Sequence, residues 1–102
     1  MNEELKSRFE QETTSHKVVL YMKGNALFPR CGFSAHALEL LKRHGDVHTV
    51  DVLADPDVRE GIKQYTQWPT IPQVFIGGKF IGGADIVQEL EERGELGKLV
   101  AG

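Results

Sequence analysis

The longest apolar run in the chain is Val18-Val19-Leu20-Tyr21-Met22, and it constrains the fold more than any other feature. A continuous β-rich run, unlike an alternating one, predicts a strand buried on both faces and therefore central in a sheet. Lys23 to Arg30 holds Gly24, Asn25 and Pro29, which makes it a loop. From Gly32 to His44 the apolar residues Phe33, Ala37, Leu40 and Leu41 recur at helical spacing, and Gly45 stops that helix. Val47 to Val52 then reads as a second strand. Two strands joined through a helix should be parallel, with a right-handed crossover.

The remaining elements follow from local signals. Leu5 and Phe9 lie one turn apart and predict a short helix from about Glu3 to Thr13. Asp55-Pro56-Asp57 is a helix start: Asp55 can cap, Pro56 suits the first helical position and Asp57 complements the dipole. Val58, Ile62 and Tyr65 form its buried face. Trp68-Pro69 and Ile71-Pro72 break the helix and lead into a strand, Gln73 to Ile76. Gly77-Gly78 suits a tight hairpin returning through Lys79-Phe80-Ile81. Asp85 is placed to cap a helix carrying Ile86, Val87 and Leu90 and ending at Gly94. Leu96, Leu99 and Val100 make a last apolar stripe. The expected class is α/β: a four-stranded mixed sheet flanked by about five helices, forming one domain over residues 1–102.

Charge and composition exclude several roles. The net charge is −3 and no basic run occurs, which argues against nucleic-acid binding. The longest apolar run is far too short to span a bilayer. Met1 to Lys6 begins with acids and lacks an apolar signal core, and it is poor in arginine, so neither a secretory nor a transit segment is expected. A single cysteine permits no internal disulfide, and a reducing, cytoplasmic location fits best. His16, His36, His44 and His48 lack metal-site spacing and read as surface or local capping residues. Glu89, Glu91, Glu92 and Glu95 read as a solvated face.

That one cysteine, Cys31, stands where the loop hands over to a helix. Free N–H groups and the positive end of the helix dipole favour an anion there, so the thiolate is stabilised. Gly32 leaves the backbone open to a ligand, Pro29 stiffens the approach, and Lys23 at the end of the central strand adds positive charge. The flanking Pro29, Arg30 and Gly32 are unlike the surroundings of an inert core cysteine. Ser34 stands where a second thiol would complete a C-x-x-C pair, so a redox cycle must borrow an external thiol. An Fe–S cluster usually takes four thiolate-type ligands. Two chains and two small thiols would supply them, an arithmetic that constrains a cluster without demonstrating one.

Cys31-Gly32-Phe33-Ser34 resembles the signature of monothiol glutaredoxins. Tyr21-Met22-Lys23-Gly24, Pro29, Trp68-Pro69-Thr70-Ile71-Pro72-Gln73 and Phe80-Ile81-Gly82-Gly83-Ala84-Asp85 resemble the family's other blocks, in order and over essentially the whole chain. The resemblance implies a thioredoxin fold and one glutaredoxin domain. It implies glutathione as cofactor, bound beside Cys31, Gly32 and Phe33. Lys23 would lie near the glycyl carboxylate, with Arg59 and Lys63 anchoring that end. Thr70, Ile71 and a cis Pro72 would pair with the peptide middle, and Gly83, Ala84 and Asp85 would hold the γ-glutamyl end. Many relatives carry a second cysteine at the position of Ala84, which is absent here.

Three functions follow from that resemblance. The first is a carrier of a 2Fe–2S cluster, with Cys31 as metal ligand in a cluster-bridged homodimer, receiving the cluster from an assembly scaffold and passing it to apo Fe–S proteins. The second is glutathione-dependent reduction of mixed disulfides through Cys31, an activity that is usually weak in resembling proteins. The third is regulatory pairing with a BolA-type protein, in which Trp68 would face the partner.

Overall fold

The computed structural model describes residues 1–102. Its elements are α1 (Glu3–Ser15), β1 (Val18–Met22), α2 (Gly32–Lys42), β2 (His48–Asp51), α3 (Pro56–Thr66), β3 (Gln73–Ile76), β4 (Lys79–Gly82), α4 (Ala84–Glu92) and α5 (Leu96–Ala101). The strands lie in the order β2-β1-β3-β4. β1 pairs parallel with β2 and antiparallel with β3, and β3 pairs antiparallel with β4. β1 is therefore interior, and all five of its residues are buried.

The two-residue period of a strand divides β1 between two cores. Val18, Leu20 and Met22 pack with Ala37, Leu41, Val87 and Leu96 from the α2, α4 and α5 side. Val19 and Tyr21 pack with Phe9, Val58, Ile62 and Phe75 from the α1 and α3 side. The second core is aromatic. Phe9 meets Tyr21 edge-on at 5.8 Å, Tyr65 lies 5.3 Å from Phe9, and Phe75 bridges Tyr21 at 5.9 Å and Phe80 at 5.5 Å. Such tilted and edge-on pairs suit the ring quadrupoles. The Tyr21 hydroxyl donates to Glu12 Oε1 at 2.7 Å. Burial first, and then that bond, push the phenol above its ordinary range, so it is a structural donor.

Local chemistry sets the boundaries. Asp55 Oδ1 accepts from the Asp57 and Val58 N–H groups at 3.0 and 3.4 Å, with Pro56 following at the helix start. Gly77 and Gly78 turn the hairpin with φ of 60° and 80°, a conformation that side chains with a Cβ resist. Several boundaries differ from expectation. α1 runs on to Ser15, with the Thr13 and Thr14 hydroxyls donating back to the Phe9 and Glu10 carbonyls inside the helix and so leaving the last turn intact. α2 stops at Lys42, since the Arg43 and His44 N–H groups tighten onto Leu40 and Leu41. β2 spans only His48–Asp51.

Some side chains also differ from the sequence reading. Asp85 does not cap α4. Gly83 takes the cap position, and the Asp85 carboxylate accepts the Ile86 N–H at 3.1 Å inside the first turn. Phe33 is 71% exposed and belongs to no core; Ser34 and Leu38 are buried on α2 instead. Tyr65, Ile86 and Leu90 are only half-buried, and Leu99 is exposed. Glu91 is no solvated acid. His44 Nε2 and Arg43 Nη1 donate to it at 2.8 and 3.3 Å, tying α4 to the end of α2. The His44 bond first, and then Arg43, hold its carboxyl below the usual value. His16 and His48 stack with ring centroids 3.8 Å apart. No helix is long and apolar enough to cross a membrane.

Candidate functional site

The parallel pair β1–β2 ends at Met22 and Asp51, and the loop to α2 is anchored there. Asp51 Oδ1 accepts from the Gly24 N–H at 3.0 Å and from the Leu53 N–H at 2.9 Å. The Lys23 carbonyl accepts from the Arg30 N–H at 2.8 Å. Between these ties, Asn25 Oδ1 accepts from the Leu27 and Phe28 N–H groups at 3.0 and 2.9 Å. Gly24 has φ +88°, and a Cβ there would lie 2.5 Å from the Phe28 carbonyl oxygen and 2.6 Å from the Arg30 nitrogen. The loop therefore needs glycine at that point and holds one shape.

This loop delivers Cys31 to the N-cap of α2, in extended conformation and partly exposed. The thiol closes no cap hydrogen bond of ordinary geometry, so the helix start stays open. Desolvation pushes the Cys31 thiol up. The Ser34 and Phe33 N–H groups, the Ser34 hydroxyl and the Lys23 ammonium outweigh it, acting over a longer reach, and hold it below a free thiol's usual value. Ser34 is fully buried, and its Oγ accepts the Lys23 N–H at 3.1 Å. Where a second thiol would stand, a hydroxyl fastens the end of β1 to α2.

Two hollows flank the sulfur. One is a groove of about 420 Å³ lined by Lys23, Phe33, Lys63, Pro69, Thr70, Ile71, Pro72, Gly83, Ala84 and Asp85. Its cations come from the end of β1 and from α3, and its acid comes from the start of α4. The other, about 500 Å³, is lined by Cys31, Gly32, Phe33, His36, Ala84, Asp85 and Gln88. Arg59 lines neither; it lies one turn before Lys63 on α3, half-buried, with Nε buried and unpartnered.

The segment before β3 forms one wall of the groove. The Ile71–Pro72 bond is cis. Ile71 is buried, yet its N–H and C=O take no part in the chain's hydrogen bonding. They form a free donor and acceptor at a strand end. The start of α4, on Gly83, likewise lacks a side-chain cap.

Sequence reasoning missed several residues that build this wall. Gln73 is fully buried; its Nε2 donates to the Trp68 and Thr70 carbonyls at 2.9 and 3.2 Å, and its Oε1 accepts from Thr66 at 2.9 Å. A polar residue opening an otherwise apolar strand was the available signal. Pro69, quoted only as part of a family block, and Gln88 line the hollows, and Asp51 anchors the loop, the last two marked by no motif. Trp68 packs edge-on against Phe80 at 5.6 Å, with its indole N–H buried and unpartnered.

The glutaredoxin family model matches residues 18–81, from the start of β1 into β4. An uncharacterized monothiol glutaredoxin (ycf64-like) of Synechocystis is 48% identical, covering 98% of this chain and 94% of its own length. Monothiol glutaredoxin-S17 of Arabidopsis thaliana is 48% identical over 90% of this chain, which spans 19% of that protein. Reduced poplar apo GrxS14 superposes with a TM-score of 0.84 at 44% identity, covering 95% of this chain and 90% of its own. The buckwheat glutaredoxin–glutathione complex superposes with a TM-score of 0.79 at 27% identity, over 99% and 94%. A sequence match over nearly the whole chain, a shared thioredoxin fold and one cysteine at the head of α2 lead to one conclusion: the chain belongs to the glutaredoxin family, in its monothiol branch.

Proposed function

We propose that this chain binds glutathione in the 420 Å³ groove and, with a second copy, carries a 2Fe–2S cluster that it delivers to apo-proteins. The observation that carries the reading is Cys31, an activated and accessible thiol at an open helix start, bordered by a groove with peptide-binding chemistry.

The groove fits glutathione on chemical grounds. Glutathione has a carboxylate at each end, an ammonium beside one of them, and amides between. The Lys23 and Lys63 ammonium groups suit the glycyl carboxylate. The free Ile71 N–H and C=O suit the peptide middle, in the manner of an added strand. The uncapped α4 start suits the γ-glutamyl carboxylate and Asp85 its ammonium. Bound there, glutathione supplies a second thiolate next to Cys31. The chain has one thiol and gathers no group of three metal-ligating side chains, so a cluster would take its other ligands from glutathione and a twin. The scaffold that loads the cluster, the apo Fe–S clients and a BolA-type partner belong to the same proposal.

Anaerobic reconstitution with iron, sulfide and glutathione tests it. Coloured dimer is expected from the wild type, and none from Cys31→Ser or without glutathione. Colour retained by Cys31→Ser would overturn the reading.

The lowered, accessible thiol also favours a second reading, glutathione-dependent disulfide exchange. Cys31 thiolate would attack the glutathionyl sulfur of a mixed disulfide, forming a Cys31–glutathione disulfide and releasing the client thiolate. A second glutathione thiolate would open that bond, giving glutathione disulfide and restoring Cys31. Brisk turnover in a coupled assay would promote this reading over the first.

A further inference from the structure

The surface around Cys31 is convex on one side and concave on the other. On the β2 side stands the loop that Asp51 anchors, with Leu27 84% and Phe28 71% exposed. Its hydrogen bonds to Asn25 and its jammed Gly24 hold these side chains out in one shape. On the α4 side lies the 500 Å³ hollow, bridged by His36 Nε2 and Gln88 Oε1 at 3.0 Å. The exposed Phe33 borders it. Leu27, Phe28 and Phe33 are the most exposed large apolar side chains in the molecule, and all lie within four residues of Cys31.

We infer that the knob of Leu27 and Phe28 is built for the hollow between α2 and α4 of a second copy. The inference rests on the cluster-bridged reading above and names the surface that reading leaves open. A two-fold interface joins each patch to its complement on the other copy. Two copies facing each other at Cys31 can set knob on knob, which holds the sulfurs apart, or knob in hollow, which brings them together. Charge agrees with the second arrangement, because Arg30 flanks the knob and Asp85, which lines both the glutathione groove and the hollow, has a carboxylate to share between the two.

The area sets how the contact works. Three such side chains expose on the order of 400 Å² per copy, near the size of a functional patch. Two copies then bury about 800 Å² of it, short of the roughly 1,200 Å² of a stable interface. The contact therefore orients two chains that a bridge already ties and does not hold free chains together.

The test uses reconstituted holo-protein, with sedimentation followed at the cluster's visible absorption on serial dilution. Leu27→Ser/Phe28→Ser removes the knob and Gln88→Trp fills the hollow, both at exposed positions. Each variant is expected to load at high concentration and to dissociate at tenfold or more higher concentration than the wild type. Dissociation within twofold of the wild type for both would overturn the inference and leave the cluster reading intact. A wild type that takes no cluster sinks the cluster reading instead, and a second measurement then decides. Oxidation with diamide joins two chains through Cys31, and amide NMR shifts are compared with those of the Cys31→Ser monomer. Shifts at both Leu27–Phe28 and Gln88 support the contact. Shifts confined to the neighbours of Cys31 refute it.

Discussion

The four helices of nine or more residues in this molecule begin in two ways, the six-residue α5 standing apart from them. α1 and α3 start closed. Asn2 accepts the Leu5 N–H at 2.8 Å, and Asp55 accepts those of Asp57 and Val58. α2 and α4 start open, on Cys31 and Gly83, with no side-chain cap. A good cap contributes about 1 kcal/mol, and the chain forgoes it at the two starts that border the hollows around the sulfur. Unsatisfied N–H groups that would be a defect elsewhere are an anion site there. The difference separates starts that stabilise the fold from starts kept for chemistry.

Closing an open start should expose that trade. Cys31 already has the extended backbone of a cap residue. Cys31→Asp is expected to abolish every thiol-dependent reaction, read as complete loss of cluster loading. It should also raise unfolding free energy by about 1 kcal/mol in urea titration at pH 7. A destabilised variant would mean that α2's N–H groups are satisfied by some other means. The reverse change, Asp55→Ala, is expected to cost about 1 kcal/mol while leaving cluster loading and alkylation of Cys31 unchanged. Loss of loading at full folding would break the separation between the two kinds of start.

The closed start of α3 was legible in the sequence, whereas the Asn2 cap of α1 was not read. Asp55-Pro56-Asp57 announces a helix by chemistry confined to three neighbours, and the structure follows it residue by residue. The run Val18–Met22 placed β1 at the sheet's interior for the same reason: its signal lies within the run itself. Of the open starts, that of α2 was placed after Cys31 as the structure has it, but that of α4 was not. Asp85 read as a cap because capping is what an aspartate before an apolar stripe usually does. Gly82, with φ +144°, turns the chain early enough that Gly83 takes that place. Phe33 kept helical spacing with Ala37 and Leu40 yet faces solvent, while its neighbour Ser34 takes the buried side of the first turn of α2 against the end of β1. Gln73 and Asp51 organise the site through partners far along the chain or on its backbone, which residue patterns do not encode.

The charge at the open start can be varied without closing it. The Lys23 ammonium is among the groups that lower the Cys31 thiol. Lys23→Met is therefore expected to move the midpoint of iodoacetamide alkylation upward in pH. At pH 7 it should slow the reaction roughly two- to five-fold, the scale of one charge at a partly solvated site. An unchanged rate would assign the lowering to the Ser34 and Phe33 N–H groups and the Ser34 hydroxyl.

The smallest effect is also the most direct reading of an anion at a helix head. The folded chain holds the Cys31 thiol below its free value, so between the folded value and about 8.5 the unfolded chain binds more protons. Stability then rises with pH across that window. The contribution is fully present above the unfolded value and is lost as pH falls through the folded one. Other titrating groups cancel when wild type is compared with Cys31→Ser under reducing conditions. The difference in urea midpoint should therefore shift in favour of the wild type between pH 6 and pH 9, and Lys23→Met should flatten the shift. A difference that stays constant across this range would mean that the α2 start does not distinguish thiolate from thiol. The contrast with the capped starts would then be one of geometry alone.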